Sequence, residues 1–234
     1  MIDFHSHVLP CIDDGSRNVP ESVEMLKESF HQGVGTVIAT PHFSADRETV
    51  DEFLLRRQTS HMALLEGITD SVPEILLGAE VRYYDGISHM QDLAKLRVEN
   101  SRLLLLEMPM RRWTEYAVKD VCDIACRGNI TVVLAHIERY LPFQSKSVIQ
   151  RFLENGILFQ VSADFFTGVF SRHRAMKMLT REQIHFVGSD AHNTTTRPPN
   201  MKGMAEAITR VFGQDGKEHF INECREIFEQ NKLK

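Results

Sequence analysis

At 234 residues, 42% hydrophobic and 25% charged, the chain is long enough to bury the core of one globular domain and too apolar for a disordered one. Its formal net charge of -5 comes without any basic block, which argues against a nucleic-acid binder working through a cationic stripe. No apolar run approaches the roughly 20 residues of a membrane span. Met1 leads straight into Ile2-Asp3-Phe4-His5 without a basic or apolar leader segment, and four irregularly spaced cysteines fit the reduced thiols of a cytoplasmic protein.

Short apolar runs alternate with amphipathic segments. The first strand is expected over 2–4, followed by a helix over 20–32 that opens on Pro20 and stops before Gly33. A strand over 36–39, a helix over 47–66 and strands over 75–78 and 103–106 come next. A helix over 113–127 precedes a strand over 131–135, and a helix over 147–154 precedes one over 158–161. A helix over 172–179, a strand over 185–188 and helices over 201–212 and 217–230 close the chain. The strands are rich in Val, Ile, Leu and Phe without alternation, so both faces are expected to be buried. Seven such strands separated by helices predict parallel pairing through right-handed crossovers. The expected fold class is α/β, a barrel of about seven strands forming one domain over residues 1–234.

The chemistry stands at the strand ends. His5, His7, Asp13 and Asp14 follow the first strand, His42 the second and Glu80 the third. Glu107 follows the fourth, His136 the fifth, and Asp190 and His192 the seventh; the sixth, ending Val161-Ser162-Ala163-Asp164, offers no clear ligand. In a parallel barrel these ends converge on one face. A lone histidine after a strand is ordinarily a hydrogen-bonding residue. Five of the eleven histidines at such positions, together with acidic residues, point instead to a metal cluster. Imidazole and carboxylate together suit Zn, Mn or Fe. His5, His7, Asp14, His42, Glu80, Glu107, His136, Asp190 and His192 are too many for one ion, so a site of two or three metals is expected, of the kind that clamps phosphate. Three divalent cations would also reverse the sign of the net charge.

These segments resemble the polymerase-and-histidinol-phosphatase (PHP) family, and more closely the manganese-dependent protein-tyrosine phosphatases of Gram-positive capsule and exopolysaccharide operons. The resemblance rests on Met1-Ile2-Asp3-Phe4-His5-Ser6-His7, Asp13-Asp14-Gly15, Ala39-Thr40-Pro41-His42 and Glu80-Val81-Arg82, and continues through Glu107-Met108-Pro109, His136-Ile137-Glu138-Arg139 and Ser189-Asp190-Ala191-His192-Asn193. It implies a distorted seven-stranded (β/α)7 barrel. His5, His7, Glu80 and Asp190 would hold one manganese, and Glu80, Glu107 and His136 a second. Asp14, His42 and His192 would hold a third, with iron or zinc as alternatives. Arg139 and Arg197 would bind phosphate, as a guanidinium fork can. The implied reaction is hydrolysis of phosphotyrosine by a metal-bridged hydroxide, and the implied substrate a membrane-associated tyrosine autokinase controlling polysaccharide export. Ile137 stands where that family more often has Pro.

Other readings remain open at this stage. Cys11 and Arg17 have the C-x5-R spacing of cysteine phosphatases. However, Asp13 and Asp14 inside that loop would repel phosphate and raise the thiol pKa, and chance gives such a spacing about 0.3 times in a chain of this composition. A small-molecule phosphatase such as one for histidinol phosphate, a PHP-type nuclease, an amidohydrolase, and a metal-binding scaffold for a kinase are the alternatives. Loops, not the barrel, decide among them. The oligomeric state is not legible.

Overall fold

The computed structural model describes residues 1–233; Lys234, the last residue of the expected domain, lies outside them. Nine strands are present among the described residues: β1 (Ile2–Ser6), β2 (Thr36–Ala39), β3 (His42–Phe43), β4 (Glu74–Leu77), β5 (Glu80–Arg82), β6 (Leu103–Glu107), β7 (Thr131–Leu134), β8 (Leu158–Ser162) and β9 (Phe186–Gly188). Seven of them correspond to the expected runs. The additions are β3 and β5, which continue β2 and β4 beyond a break. Pro41, with no N–H to give a ladder, separates the first pair, and Gly78-Ala79 separates the second. His42 and Glu80 therefore stand inside short strands, directly opposite each other in register, not in loops. His5 likewise lies within β1, which runs two residues longer than expected.

Every strand pair is parallel. One sheet has the order β1-β2-β4 and the other β3-β5-β6-β7-β8-β9. They join where Ser6 bridges Ala191. There the Asp190 N–H donates to the His5 carbonyl (2.8 Å) and the His7 N–H to the Ala191 carbonyl (2.9 Å). The sheet thus curls until the end of β9 meets the end of β1. A Cβ at Gly188 would stand 2.4 Å from the His5 Cβ, so only glycine allows this approach.

The helices are α1 (Val19–His31), α2 (Val50–Gly67), α3 (Glu115–Ala125), α4 (Lys146–Glu154), α5 (Asp164–Thr167), α6 (Arg172–Thr180) and α7 (Met201–Gln230). Side chains of Asn18, Thr49, Thr114 and Ser145 accept first-turn N–H groups and set where four of them start. α2 begins three residues later than expected because Thr49 and Glu52 cap each other reciprocally. The two expected closing helices run together, and the gap between them survives only as Gly213, at φ 75°.

Leu103 and Leu105 of β6 pack with Phe4, Ile38, Val133, Phe186 and Phe228 in one apolar cluster. Leu104, Leu106, Val132 and Leu134 pack in the other, against helix residues such as Val118 and Phe152. Both strand faces are buried, as the unalternated runs predicted. By the period of two, the face carrying Leu103 and Leu105 ends in Glu107, so the first cluster forms the apolar base under the site.

Candidate metal centre

Glu80 is the centre of the site. Its side chain is 1% exposed. One carboxylate oxygen lies 2.8 Å from His136 Nε2. The other lies 2.9 Å from His42 Nδ1, 3.3 Å from His5 Nε2 and 3.4 Å from His7 Nε2. Asp190 Oδ1 faces His5 and His7 at 3.7 and 3.6 Å. Asp14 Oδ1 faces His42 Nε2 at 3.2 Å and His192 Nε2 at 3.6 Å. Donor atoms converge within 4.8 Å in four sets: His7, Asp14, His42 and His192; His5, His7 and Asp190; His5, Glu80 and His136; His42, Glu80 and Glu107. All nine side chains singled out in the sequence are brought together. His136 and Glu107, grouped around Glu80 by the resemblance, fall in two different sets that share it. His136 and Asp190 adopt the left-handed backbone region, with φ 32° and 52°, a strain of about 1–3 kcal/mol each that clusters at functional sites.

Residues that the sequence did not single out for a role hold the donors in place. Asp13 Oδ2 accepts from His7 Nδ1 (2.7 Å) and from the His42 N–H (3.0 Å), and its Oδ1 accepts from the Gly15 N–H (3.0 Å). Gln160 Oε1 accepts the His136 N–H (2.7 Å), so it is an oxygen, and His5 Nδ1 at 3.3 Å must donate to it. His192 Nδ1 lies 3.0 Å from the Asp190 carbonyl oxygen. Three imidazoles thereby use Nδ1 as the donor and turn Nε2 inward, the orientation that metal ligation needs. His5 and His7 bring their Nε2 atoms within 3.1 Å of each other, a spacing that a proton or a cation shared between the two nitrogens can bridge. The residues fit a polynuclear divalent site. Tyr140 adds a brace, its hydroxyl accepting the Met108 N–H and meeting His136 Nδ1, each at 3.1 Å. Asp3 Oδ1 ties together β1 and β9 by accepting the His5 and Ser189 N–H groups. Asp13 stood among the strand-end residues with no role assigned, spacing could have flagged Asp3, and Gln160 carries no local signal.

The electrostatics follow from this packing. Burial opposes charge on His5 and His7, but the carboxylates around them win and raise both pKa values, that of His7 well above its usual range. Burial likewise works against the Glu80 charge, yet the surrounding imidazoles hold its carboxyl well below the ordinary value. Asp13, despite burial, is pulled down to about 2 by His7. Burial pushes Glu107 up, helped by the Glu80 charge. His136 is lowered by burial, and His192 by burial and His7 to about 4.

The Asp13→Asn variant is expected to bind divalent metal about 10–100-fold more weakly, because an amide cannot accept from all three donors. Metal titration of the variant beside the wild type checks this; unchanged affinity would contradict the orienting role.

Arg139 and Arg197 meet at Asp190 Oδ2, the oxygen turned away from the histidines, with Arg197 Nη2 at 2.6 Å. Their side chains are 38% and 42% exposed, so they face solvent, as His42 does, while His5, His7, His136 and His192 are buried. Asn193 Oδ1 shapes the loop that delivers Arg197, accepting the N–H groups of Thr195, Thr196 and Arg197. Ile137 is fully buried, and the turn Ile137–Arg139 carries Arg139 to the site without the Pro. Beside the arginines lies a cavity of about 290 Å³ lined by Glu138, Ser162, Phe165 and Pro198. A wider cleft of about 970 Å³ opens on the Asp14, His42 and Glu107 side, with Arg47 and Arg82 on its walls.

The Cys11–Arg17 spacing does not form a phosphate cradle. The Cys11 thiol donates to the Arg17 carbonyl, while the Arg17 guanidinium turns outward to Glu21 (2.8 Å).

Residues 1–229 match the family described as capsular polysaccharide synthesis, CpsB/CapC. The chain belongs to the CpsB/CapC family. It is 31% identical to the tyrosine-protein phosphatase CpsB of Streptococcus pneumoniae, over 97% of this chain and 98% of that one. It is 30% identical to the tyrosine-protein phosphatase YwqE of Bacillus subtilis, over 99% and 92%. A crystal structure from work on YwqE and CpsB, described as unique metal-dependent tyrosine phosphatases, superposes with a TM-score of 0.83 at 26% identity, covering 100% of this chain and 96% of that one. An organophosphorus hydrolase variant shares the fold alone, with a TM-score of 0.57 at 11% identity over 97% of this chain and 92% of its own. Membership in the CpsB/CapC family agrees with the resemblance read from the strand-end motifs. No helix among the described residues is long and apolar enough to cross a membrane.

Proposed function

We propose that this CpsB/CapC chain is a metal-dependent protein-tyrosine phosphatase: one domain over residues 1–234, a distorted (β/α)7 barrel, acting in the cytoplasm. The observation that carries the reading is the pairing of a nine-donor cluster with two guanidiniums on the outer oxygen of Asp190. His5, His7, Glu80 and Asp190 would hold one ion, Glu80, Glu107 and His136 another, and Asp14, His42 and His192 a third; manganese is the proposed metal. Divalent ions there supply Lewis-acid activation of the attacking water and of the phosphoryl oxygens. Arg139 and Arg197 bind the equatorial oxygens and stabilise their charge in the transition state. Phe165 and Pro198 give the neighbouring cavity apolar wall for an aromatic ring. Tyrosinate is a good leaving group, its conjugate acid having a pKa near 10, so no strong acid is required behind it. The Cys11 thiol, hydrogen-bonded to a carbonyl, plays no nucleophilic part.

The proposed substrate is the phosphotyrosine of an autokinase controlling capsule or exopolysaccharide synthesis. This draws on the relatives' names as tyrosine-protein phosphatases and on the family's description. Rates on a phosphotyrosine peptide and on histidinol phosphate discriminate between this reading and a small-molecule phosphatase. A kcat/KM at least about 100-fold higher on the peptide, some 2.7 kcal/mol of discrimination, is expected. The reverse preference would replace this reading with the small-molecule one.

A further inference from the structure

A second pocket lies outside the metal centre, between α4 and α6. Its volume is about 370 Å³, and Lys146, Arg174, Lys177 and Arg181 line it with no carboxylate among the lining residues. None of the four forms a salt bridge among the described residues, whereas the nearby Arg151 pairs with Glu115 at 3.0 Å. Arg174, Lys177 and Arg181 follow one another at the spacing that puts side chains on one helix face. Met178 on that face, with Leu141 and Ile149 opposite, gives the pocket an apolar floor.

Helix stability accounts for only part of this arrangement. Lys177 and Arg181 stand at the C-terminal end of α6, where cations complement the helix dipole. Lys146 is the first residue of α4, the end where a cation is disfavoured. Four cations with no carboxylate among the pocket's lining residues make a local positive field of the kind that attracts a phosphorylated peptide. The pocket is also close to the chemistry: Leu141 on its wall is two residues after Arg139, a backbone reach of at most about 7 Å.

We infer that the α4–α6 pocket is an exosite that takes a second phosphate-bearing segment of the phosphoprotein while the first occupies the metal centre, the ring of a phosphorylated tyrosine on the apolar floor and its phosphate among the four cations. This rests on the phosphotyrosine reading of the metal centre. Such a site holds a multiply phosphorylated substrate between successive turnovers by raising its effective concentration.

The test is the double charge reversal Lys177→Glu with Arg181→Glu. Both side chains are exposed, and circular dichroism of the variant checks that α6 is retained after the reversal at its C-terminal end. Manganese-loaded wild type and variant are compared on p-nitrophenyl phosphate and on a peptide carrying two phosphotyrosines. The variant is expected to raise KM for the doubly phosphorylated peptide about tenfold, from two attractions lost and two repulsions gained at a solvated surface. Its kcat, and both constants for p-nitrophenyl phosphate, stay as in wild type. An unchanged KM for the peptide, or an equal rise for both substrates, overturns the exosite. If the wild type turns over neither substrate, the phosphatase reading has failed. Fluorescence anisotropy of the labelled peptide on chelator-treated protein then decides the exosite separately: binding lost in the variant supports it, and equal binding overturns it.

Discussion

Glu80→Gln is expected to lower kcat/KM for phosphotyrosine hydrolysis by about 10³-fold or more, and to reduce the amount of metal bound. Metal-ion catalysis supplies several kcal/mol of transition-state stabilisation, and each 1.36 kcal/mol is a factor of ten. Glu80 is the residue whose loss removes most of it, because its two oxygens face His136 on one side and His5, His7 and His42 on the other. Two of the four donor sets include it. Glu107 contributes to one set and is less buried, so Glu107→Gln is expected to cost less. Metal analysis of the purified variants, with circular dichroism to confirm folding, checks the order. A Glu80→Gln protein with full metal content and activity would remove Glu80 from the centre.

Arg139→Ala is expected to lower kcat/KM by about 10²–10³, the usual cost of removing one preorganised donor to a developing oxyanion, while leaving metal content unchanged. That pairing of outcomes separates a phosphate-binding residue from a metal ligand. Arg139→Lys restores the charge but not the fork and is expected to recover only part of the loss. Because Arg139 and Arg197 meet at the same Asp190 oxygen, the double variant should lose less than the product of the single losses, as coupled neighbours do. Steady-state kinetics of the four proteins test this. Independent, multiplicative effects would mean that the two guanidiniums do not share one anion.

The strands and donors were legible in the sequence because both follow short-range rules. Runs such as Leu103 to Leu106 are apolar on both faces, and a hard ligand stands at or just past each run that bears one. The breaks after β2 and β4 were harder to read. Pro41 and Gly78 end one ladder, but a two-residue strand such as His42–Phe43 has too little pattern to announce itself. The supporting residues were less visible again. Gln160 is one polar side chain in an apolar strand, and its role depends on His5, 155 residues away. Asp13 lay in plain view beside Asp14. Only the fold shows that Asp14 faces the donors while Asp13 stands behind His7. The Cys11–Arg17 spacing was legible too, and meant nothing, because Arg17 spends its guanidinium on Glu21.

The central claim, that bound divalent metal and not a cysteine performs the hydrolysis, is tested most directly with one preparation of protein. It is stripped with chelator and assayed on a phosphotyrosine peptide before and after Mn²⁺ is restored, with Cys11→Ser in parallel. Activity that vanishes on stripping, returns with Mn²⁺ and is unchanged in Cys11→Ser is the predicted result. Activity that survives stripping but is lost in Cys11→Ser would contradict the account.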